Sequence, residues 1–287
     1  VYTFFEKHFD DTDLVTYSID YLSENGKVTT HKRFDIMTCS GIYDVMANPN
    51  ILQTTMNICV KNVPAEERIY FDETLSLGED QWFIFSWLKK KGKLGFCRDA
   101  LYTYYRHGES ASQSFNSPYY CFEQYIRFLN KLIDSSRDEN GKPHPVAQAL
   151  VVYNLSWRIT SDMLVCDIDD ETRNNQLACI QKVLSEVDNS IIADSIYIDP
   201  YHVDAFMKLK GQNYTVRSNA LSQTAYADDC LLFSQPHIIT FNTFRIIDGK
   251  LYTSGYFKNG VGSRDDIRLY CALSDGRVID LPVQKNS

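Results

Sequence analysis

Apolar residues along this chain recur with more than one period, and each change of period marks a different kind of structure. Val1, Phe4, Phe5 and Phe9 share one helical face. Leu14 to Tyr21 then alternates as a strand does, and Glu24-Asn25-Gly26-Lys27 is a turn signal after it. A short helix is predicted over 41–47 and a buried strand over Thr54 to Val60. Phe71-Asp72-Glu73 opens a loop that ends at Gly78. Glu79 to Lys91 is the most sharply drawn helix of this first third. Trp82, Phe83, Ile84, Phe85, Trp87 and Leu88 make it apolar nearly all round, which predicts burial. Lys89, Lys90 and Lys91 complement the carboxyl end of its dipole, and Gly92 stops it. Two strands, 93–97 and 100–106, are predicted next.

From Tyr119 the spacing becomes helical. Helices are predicted over 119–135, 145–165 and 171–187, with a shorter one over 200–209, and together they read as a small bundle. After Asp228 the period becomes 2. His237 to Ile247, Lys250 to Phe257, Ile267 to Leu273 and Arg277 to Leu281 read as strands. Asp248-Gly249 and Asp275-Gly276 are their hairpin turns. The expected fold class is α/β, followed by an α-helical bundle and an incomplete antiparallel β-sandwich. The expected boundaries are 1–115, 116–228 and 229–287. The helix at Val1 lacks a preceding cap, and Gly276 to Leu281 reads as a strand beginning a return, so a fragment of a longer protein is expected.

Composition narrows the classes. The 287 residues are 44% hydrophobic and 23% charged, which suits a folded chain. The net charge of −8 argues against broad nucleic-acid binding, which needs a basic face. Aromatics make up 13% and can serve cores or stacking platforms. The eight cysteines form no CxxC pair, and several, such as Cys59, lie in apolar runs. Free, buried thiols in a reducing cytosol are expected. No signal peptide is visible, and no apolar run reaches the roughly 18 residues a membrane span needs.

Two motifs carry candidate chemistry. The first is Leu77-Gly78-Glu79-Asp80-Gln81-Trp82 after Phe71-Asp72-Glu73. It sets two acids in the first turn of a buried helix, where the dipole favours carboxylates, so both are expected to stay ionised. A fixed, ionised carboxylate can accept a proton from a hydroxyl nucleophile. Stabilising the helix start is the competing role. The second is Tyr104-Tyr105-Arg106-His107-Gly108-Glu109-Ser110-Ala111-Ser112. Arg106 offers a phosphate-matching fork, His107 can ligate a metal or donate to a phosphate, and Ser110 and Ser112 add hydroxyls. A solvated loop after an edge strand is the competing role. Elsewhere, Tyr125, Phe128, Tyr153 and Trp157 read as core, and His144 as exposed. Asp10-Asp11-Thr12-Asp13 contains a D-x-D string but reads as a cap or turn.

In this order, the FD pair, the GED helix, two strands and the Tyr-Tyr-Arg-His-serine loop resemble bacterial family-2 glycosyltransferases of the GT-A fold. The nearest likeness is to those that build or decorate teichoic acids and other surface polymers. The motifs cover residues 1–115, which then correspond to the carboxy-terminal half of such a domain, with the nucleotide-binding half missing. Later modules resemble the family only in architecture. The resemblance implies that Asp80 is the catalytic base and Glu79 its acidic neighbour. It places Arg106, His107, Ser110 and Ser112 at the donor diphosphate, His107 at a Mg2+ or Mn2+ site, and Thr54 and Thr55 on the acceptor side. It implies an inverting single displacement from a nucleotide sugar, a UDP-sugar by expectation, to a polymer or lipid-linked acceptor. There is no Q-x-x-R-W motif, which disfavours a processive synthase. Without the nucleotide-binding half, the chain alone is expected to be inactive. A cytoplasmic location, at the inner face of the membrane through peripheral association, is expected, as is homo-oligomerisation through the C-terminal regions. The rival reading is a non-catalytic scaffold or polysaccharide-binding protein.

Overall fold

The structure, a computed structural model, describes residues 1–106, 118–160, 168–219, 222–258 and 269–281. The short helix α1 (Tyr2–Lys7) buries none of its residues. Alternation from Leu14 produces β1 (Leu14–Ser23), the axis of a mixed sheet. Its second half pairs antiparallel with β2 (Val28–Thr30) across the predicted turn, and its first half with β4 (Ile58–Val60). Along its other edge runs β5 (Lys93–Arg106), parallel, and β3 (Gly41–Asp44) closes the sheet antiparallel to β5.

Three expectations about this sheet are corrected. Residues 41–47 hold strand β3 and a turn rather than a helix. The β5 ladder claims Gly41 to Asp44, and Asp44 Oδ1 then accepts from the backbone N–H groups of Met46 (2.9 Å) and Ala47 (3.0 Å). Only Ile58–Val60 of the expected strand 54–60 is regular, and Cys59 and Val60 are exposed. Residues 53–57 spend their hydrogen bonds on side-chain partners instead, as with Gln53 Nε2 to the Thr55 carbonyl (2.5 Å). The expected strands 93–97 and 100–106 are one strand with a register shift. Tyr17 pairs with Cys97 and Ser18 with Leu101. The intervening Arg98 bonds to Ser40 Oγ (2.9 Å) and the Thr38 carbonyl (2.7 Å), so the bulge keeps its polar groups satisfied.

Helix α2 (Glu79–Lys91) has the predicted bounds. Phe83 through Leu88 are buried in unbroken succession, so the helix is covered on every side. Lys89 and Lys90 lie over the rings of Trp82 and Trp87, and Gly92, at φ 65°, ends the helix. The helix meets α3 (Pro118–Asp134), where the Lys131 ammonium lies 4.9 Å from the Trp82 ring centroid, and α4 (Pro145–Thr160), and the helical block goes on through α5 (Asp170–Ser185), a short α6 (Asn189–Ala193) that the periodicity does not foresee, and α7 (Pro200–Lys210). Asp169 caps α5 by accepting from the Thr172 N–H (2.8 Å).

One hydrophobic core runs through these elements without interruption. Leu14, Phe85, Phe96, Phe128, Leu150, Phe206 and Phe233 all belong to it. It extends into an unforeseen antiparallel sheet of β6 (Thr215–Ser218), β7 (Ser222–Ala227) and β8 (Cys230–Pro236). Beyond it lie two hairpins, β9 (Ile238–Ile247) with β10 (Lys250–Lys258), and β11 (Leu269–Ala272) with β12 (Val278–Leu281). Asp248 and Gly249, at φ 50° and 73°, form the predicted tight turn.

Among the described residues, Cys39, Cys59, Cys97, Cys179 and Cys230 are free, but only Cys97 is buried. His144 is half-buried, packed edge-on against Phe85 and accepting from the Val146 N–H (3.2 Å), not exposed as expected. No helix among the described residues is long and apolar enough to cross a membrane.

Candidate active site

Glu79 and Asp80 open α2, and Gly78 makes that opening possible. Gly78 sits at φ 76°, a conformation that side chains rarely adopt. A Cβ there would meet the Phe128 ring at 2.7 Å. The motif therefore needs glycine twice, for its backbone and for the approach of α3. Asp80 Oδ1 accepts from the Gln81 N–H (2.7 Å). Burial pushes the Asp80 carboxyl up to about 6, and the Glu79 charge adds to the rise, while the Gln81 hydrogen bond opposes it. The expectation that the helix start keeps Asp80 firmly ionised is thus corrected, because desolvation outweighs the dipole. A half-buried carboxylate titrating near neutrality suits a general base.

Helix α4 connects this carboxylate to the threonine pair. Gln81, next to Asp80, exchanges amide hydrogen bonds with Asn154 (2.8 and 3.4 Å). One residue earlier on α4, the Tyr153 hydroxyl accepts from buried Thr54 (3.4 Å). His31 Nδ1 accepts from the Arg33 N–H (3.2 Å), which leaves its other ring nitrogen, Nε2, to donate to Thr54 Oγ1 (3.5 Å). Burial, with the nearby Arg33 charge, pushes His31 down to about 3, so its ring is neutral.

Beneath this group lies Arg33, with 0% of its surface exposed. Its terminal nitrogens donate to Thr55 Oγ1 (both 3.3 Å) and Asn57 Oδ1 (3.2 Å), and its guanidinium lies 4.7 Å from the Phe34 ring centroid. Its Nε has no partner, and among the described residues no carboxylate pairs with it. Burying a cation without a counter-charge costs several kcal/mol even after relaxation. Burial pushes its pKa down to about 10, which leaves it charged at neutrality.

Asp80 and Glu79 thus neighbour α4 through Gln81, Thr54 touches the same helix through Tyr153, and Thr55 is held by Arg33 and Asn57. Arg106 ends β5 opposite Ser23, while His107, Ser110 and Ser112 lie outside the described residues. Asp13 of the D-x-D string pairs with Lys91 (2.9 Å) and Lys61 (3.9 Å). No group of three or more His, Cys, Asp or Glu side chains stands together among the described residues. The described residues therefore do not by themselves fit a divalent cation. Sequence reasoning missed His31, Arg33, Asn57 and Asn154. None sits in a motif, and only their convergence in space distinguishes them. Trp157, read as core, is 55% exposed.

No family model matches the chain. It is 26% identical over 220 residues to the minor teichoic acid biosynthesis protein GgaB of Bacillus subtilis strain 168, a match covering 75% of this chain and 24% of that protein. The chain spans about a quarter of the length of that curated relative. Its fold is similar to the crystal structure of TarS from S. aureus, with a TM-score of 0.50 and 14% identity over all of this chain and 52% of that one.

Proposed function

We propose, for a chain related to the teichoic-acid-type glycosyltransferases, that it forms the acceptor side of a family-2, GT-A-type catalytic centre. Asp80 is the general base, Thr54 and Thr55 line the acceptor side, and Glu79 tunes Asp80 through its charge. Arg106, His107, Ser110 and Ser112 take the diphosphate of a nucleotide sugar. The acceptor is a surface polymer or its lipid-linked precursor. The observation that carries this reading is the half-buried Asp80 carboxyl, raised to about 6 at a glycine-opened helix start and tied through Gln81 and Asn154 to the helix that holds Thr54.

The chemistry is one displacement. Asp80 takes the proton of the acceptor hydroxyl as its oxygen bonds to the anomeric carbon. The bond from that carbon to the diphosphate breaks with its electron pair, and the configuration inverts. A divalent cation, when bound, would help neutralise the departing diphosphate. His107 is the one residue of this chain assigned to it, so no step is routed through the ion. The nucleotide-binding half, with its D-x-D strand, belongs to the full-length enzyme that the reading requires.

Removing a positioned base costs about 10²–10⁴ in rate. In the full-length enzyme, Asp80→Asn is expected to lower sugar transfer by that factor while nucleotide-sugar binding, followed by calorimetry, stays within about twofold. Transfer at the native rate would remove Asp80 from the mechanism.

A further inference from the structure

We propose that Arg33 is a positioning residue for the acceptor side of the site: its guanidinium fixes the loop 53–57 through Thr55 and Asn57, so that the Thr54 hydroxyl is held ready to accept from a hydroxyl of the acceptor. This rests on the transferase reading above. It divides the two threonines of that reading into a contact, Thr54, and a support, Thr55.

Hydrogen-bond capacity makes the division. A threonine hydroxyl has one proton to donate and two lone pairs. Thr55 Oγ1 donates to Asn57 Oδ1 (2.5 Å) and accepts from both terminal nitrogens of Arg33 (3.3 Å each) and from Gln53 Nε2 (3.4 Å). No capacity remains there for a substrate. Thr54 Oγ1 donates to the Tyr153 hydroxyl (3.4 Å) and accepts from His31 Nε2 (3.5 Å), which leaves it one lone pair.

Residues 53–57 belong to no helix or strand, so side chains set the course of this loop. Asn57 ties one end to β1. Its Nδ2 donates to Thr16 Oγ1 (3.2 Å), and its carbonyl accepts from Thr16 Oγ1 (3.0 Å) and the Tyr17 N–H (3.4 Å). Arg33 reaches Thr55 and Asn57 at once, which suits a planar fork and not a point cation. Its backbone N–H also donates to His31 Nδ1 (3.2 Å), and this fixes the tautomer in which His31 donates to Thr54. Arg33 therefore acts on Thr54 from two directions. Stability does not account for it, because a wholly buried cation with no carboxylate beside it among the described residues weakens a fold. A charge present against that penalty suits a functional site.

The test compares the full-length protein with Arg33→Met and Arg33→Lys, using a UDP-sugar donor and a glycerol-phosphate oligomer as acceptor. Arg33→Met is expected to unfold in denaturant at a midpoint no lower than the native one. Its kcat/KM for the acceptor is expected to fall about 10²-fold, the loss that a small misplacement of a binding group brings. The donor KM and the acid limb near pH 6 should stay unchanged, and Arg33→Lys should recover part of the loss. Amide hydrogen exchange should quicken over residues 53–57 in Arg33→Met and keep its native rate in α2. Native acceptor kinetics in both variants would overturn the proposal, as would a donor KM that rises with the acceptor KM. If Arg33→Met fails to fold, Arg33→Lys decides by the same measurements. Faster exchange over 53–57 in Arg33→Met, with no sugar transfer by the native full-length protein, would uphold the hold of Arg33 on the loop and remove the transferase reading.

Discussion

β7 and β9 are both strands with alternating side chains, yet they belong to different kinds of structure. β7 buries Gln223, Ala225 and Ala227 in a core that reaches back through α4 to α2. Along β9 and β10 none of the described side chains is buried, and Phe244 and Ile246 are 64% and 77% exposed. The difference teaches that period-2 alternation encodes a strand, while what covers the strand is decided by the rest of the chain. Asp80, Glu79, Thr54 and Thr55 of the candidate site lie in the region with the shared core. Their precision is therefore tied to packing, and changes there should be felt far more than changes in the hairpins.

The largest effect is expected at Gly78. Replacement by alanine combines a strained positive φ with a clash against Phe128, and about 2–4 kcal/mol of stability should be lost in chemical denaturation. A loss below about 0.5 kcal/mol would mean that α3 does not press on the GED turn, and the two regions would no longer differ in kind.

Asp80 comes next. Its folded-state pKa lies above the value of 3.8 taken for an ordinary carboxyl, at about 6. The protonated form is the one folding favours, so the native protein loses stability as pH rises from about 4 through about 6. Asp80→Asn should be free of that loss and stand about 1–3 kcal/mol above the native protein at pH 7, with the advantage gone near pH 4. Thermal denaturation across this range checks the sign. An advantage that grew towards acid pH would show that Asp80 is held ionised instead. The smallest effect is expected at Phe244, where a change to serine should alter stability by about 0.5 kcal/mol or less. A cost above about 2 kcal/mol would mean that the β9 face is covered, which would erase the contrast between the regions.

Much of the core-bearing region was legible in the sequence because its signals are local. Helix α2 announces itself by six consecutive buried positions between a glycine start and a glycine stop. The gap between the two strands expected after it is the bulge at Arg98. Residues 41–47 misled because a short apolar run has no decisive period, and pairing with β5 settled it. β7 escaped because Ser222-Gln223-Thr224-Ala225-Tyr226-Ala227 buries small residues with little contrast in polarity. At the site, Asp80 and Thr54 were reachable through motif order. Arg33 was not, since nothing in His31-Lys32-Arg33-Phe34 announces that the second cation is wholly buried while Lys32 remains exposed. The rise of the Asp80 pKa was equally hidden, because it depends on how deeply α3 and α4 cover the start of α2.

The central claim is that the Asp80 carboxylate removes the acceptor proton. The most direct measurement is the pH dependence of kcat/KM for sugar transfer by the full-length enzyme, set against Asp80→Asn. The account predicts an acid limb with an apparent pKa near 6 in the native enzyme, and its disappearance in a variant slowed by about 10²–10⁴. An acid limb that persists unchanged in Asp80→Asn would contradict it and place the base elsewhere.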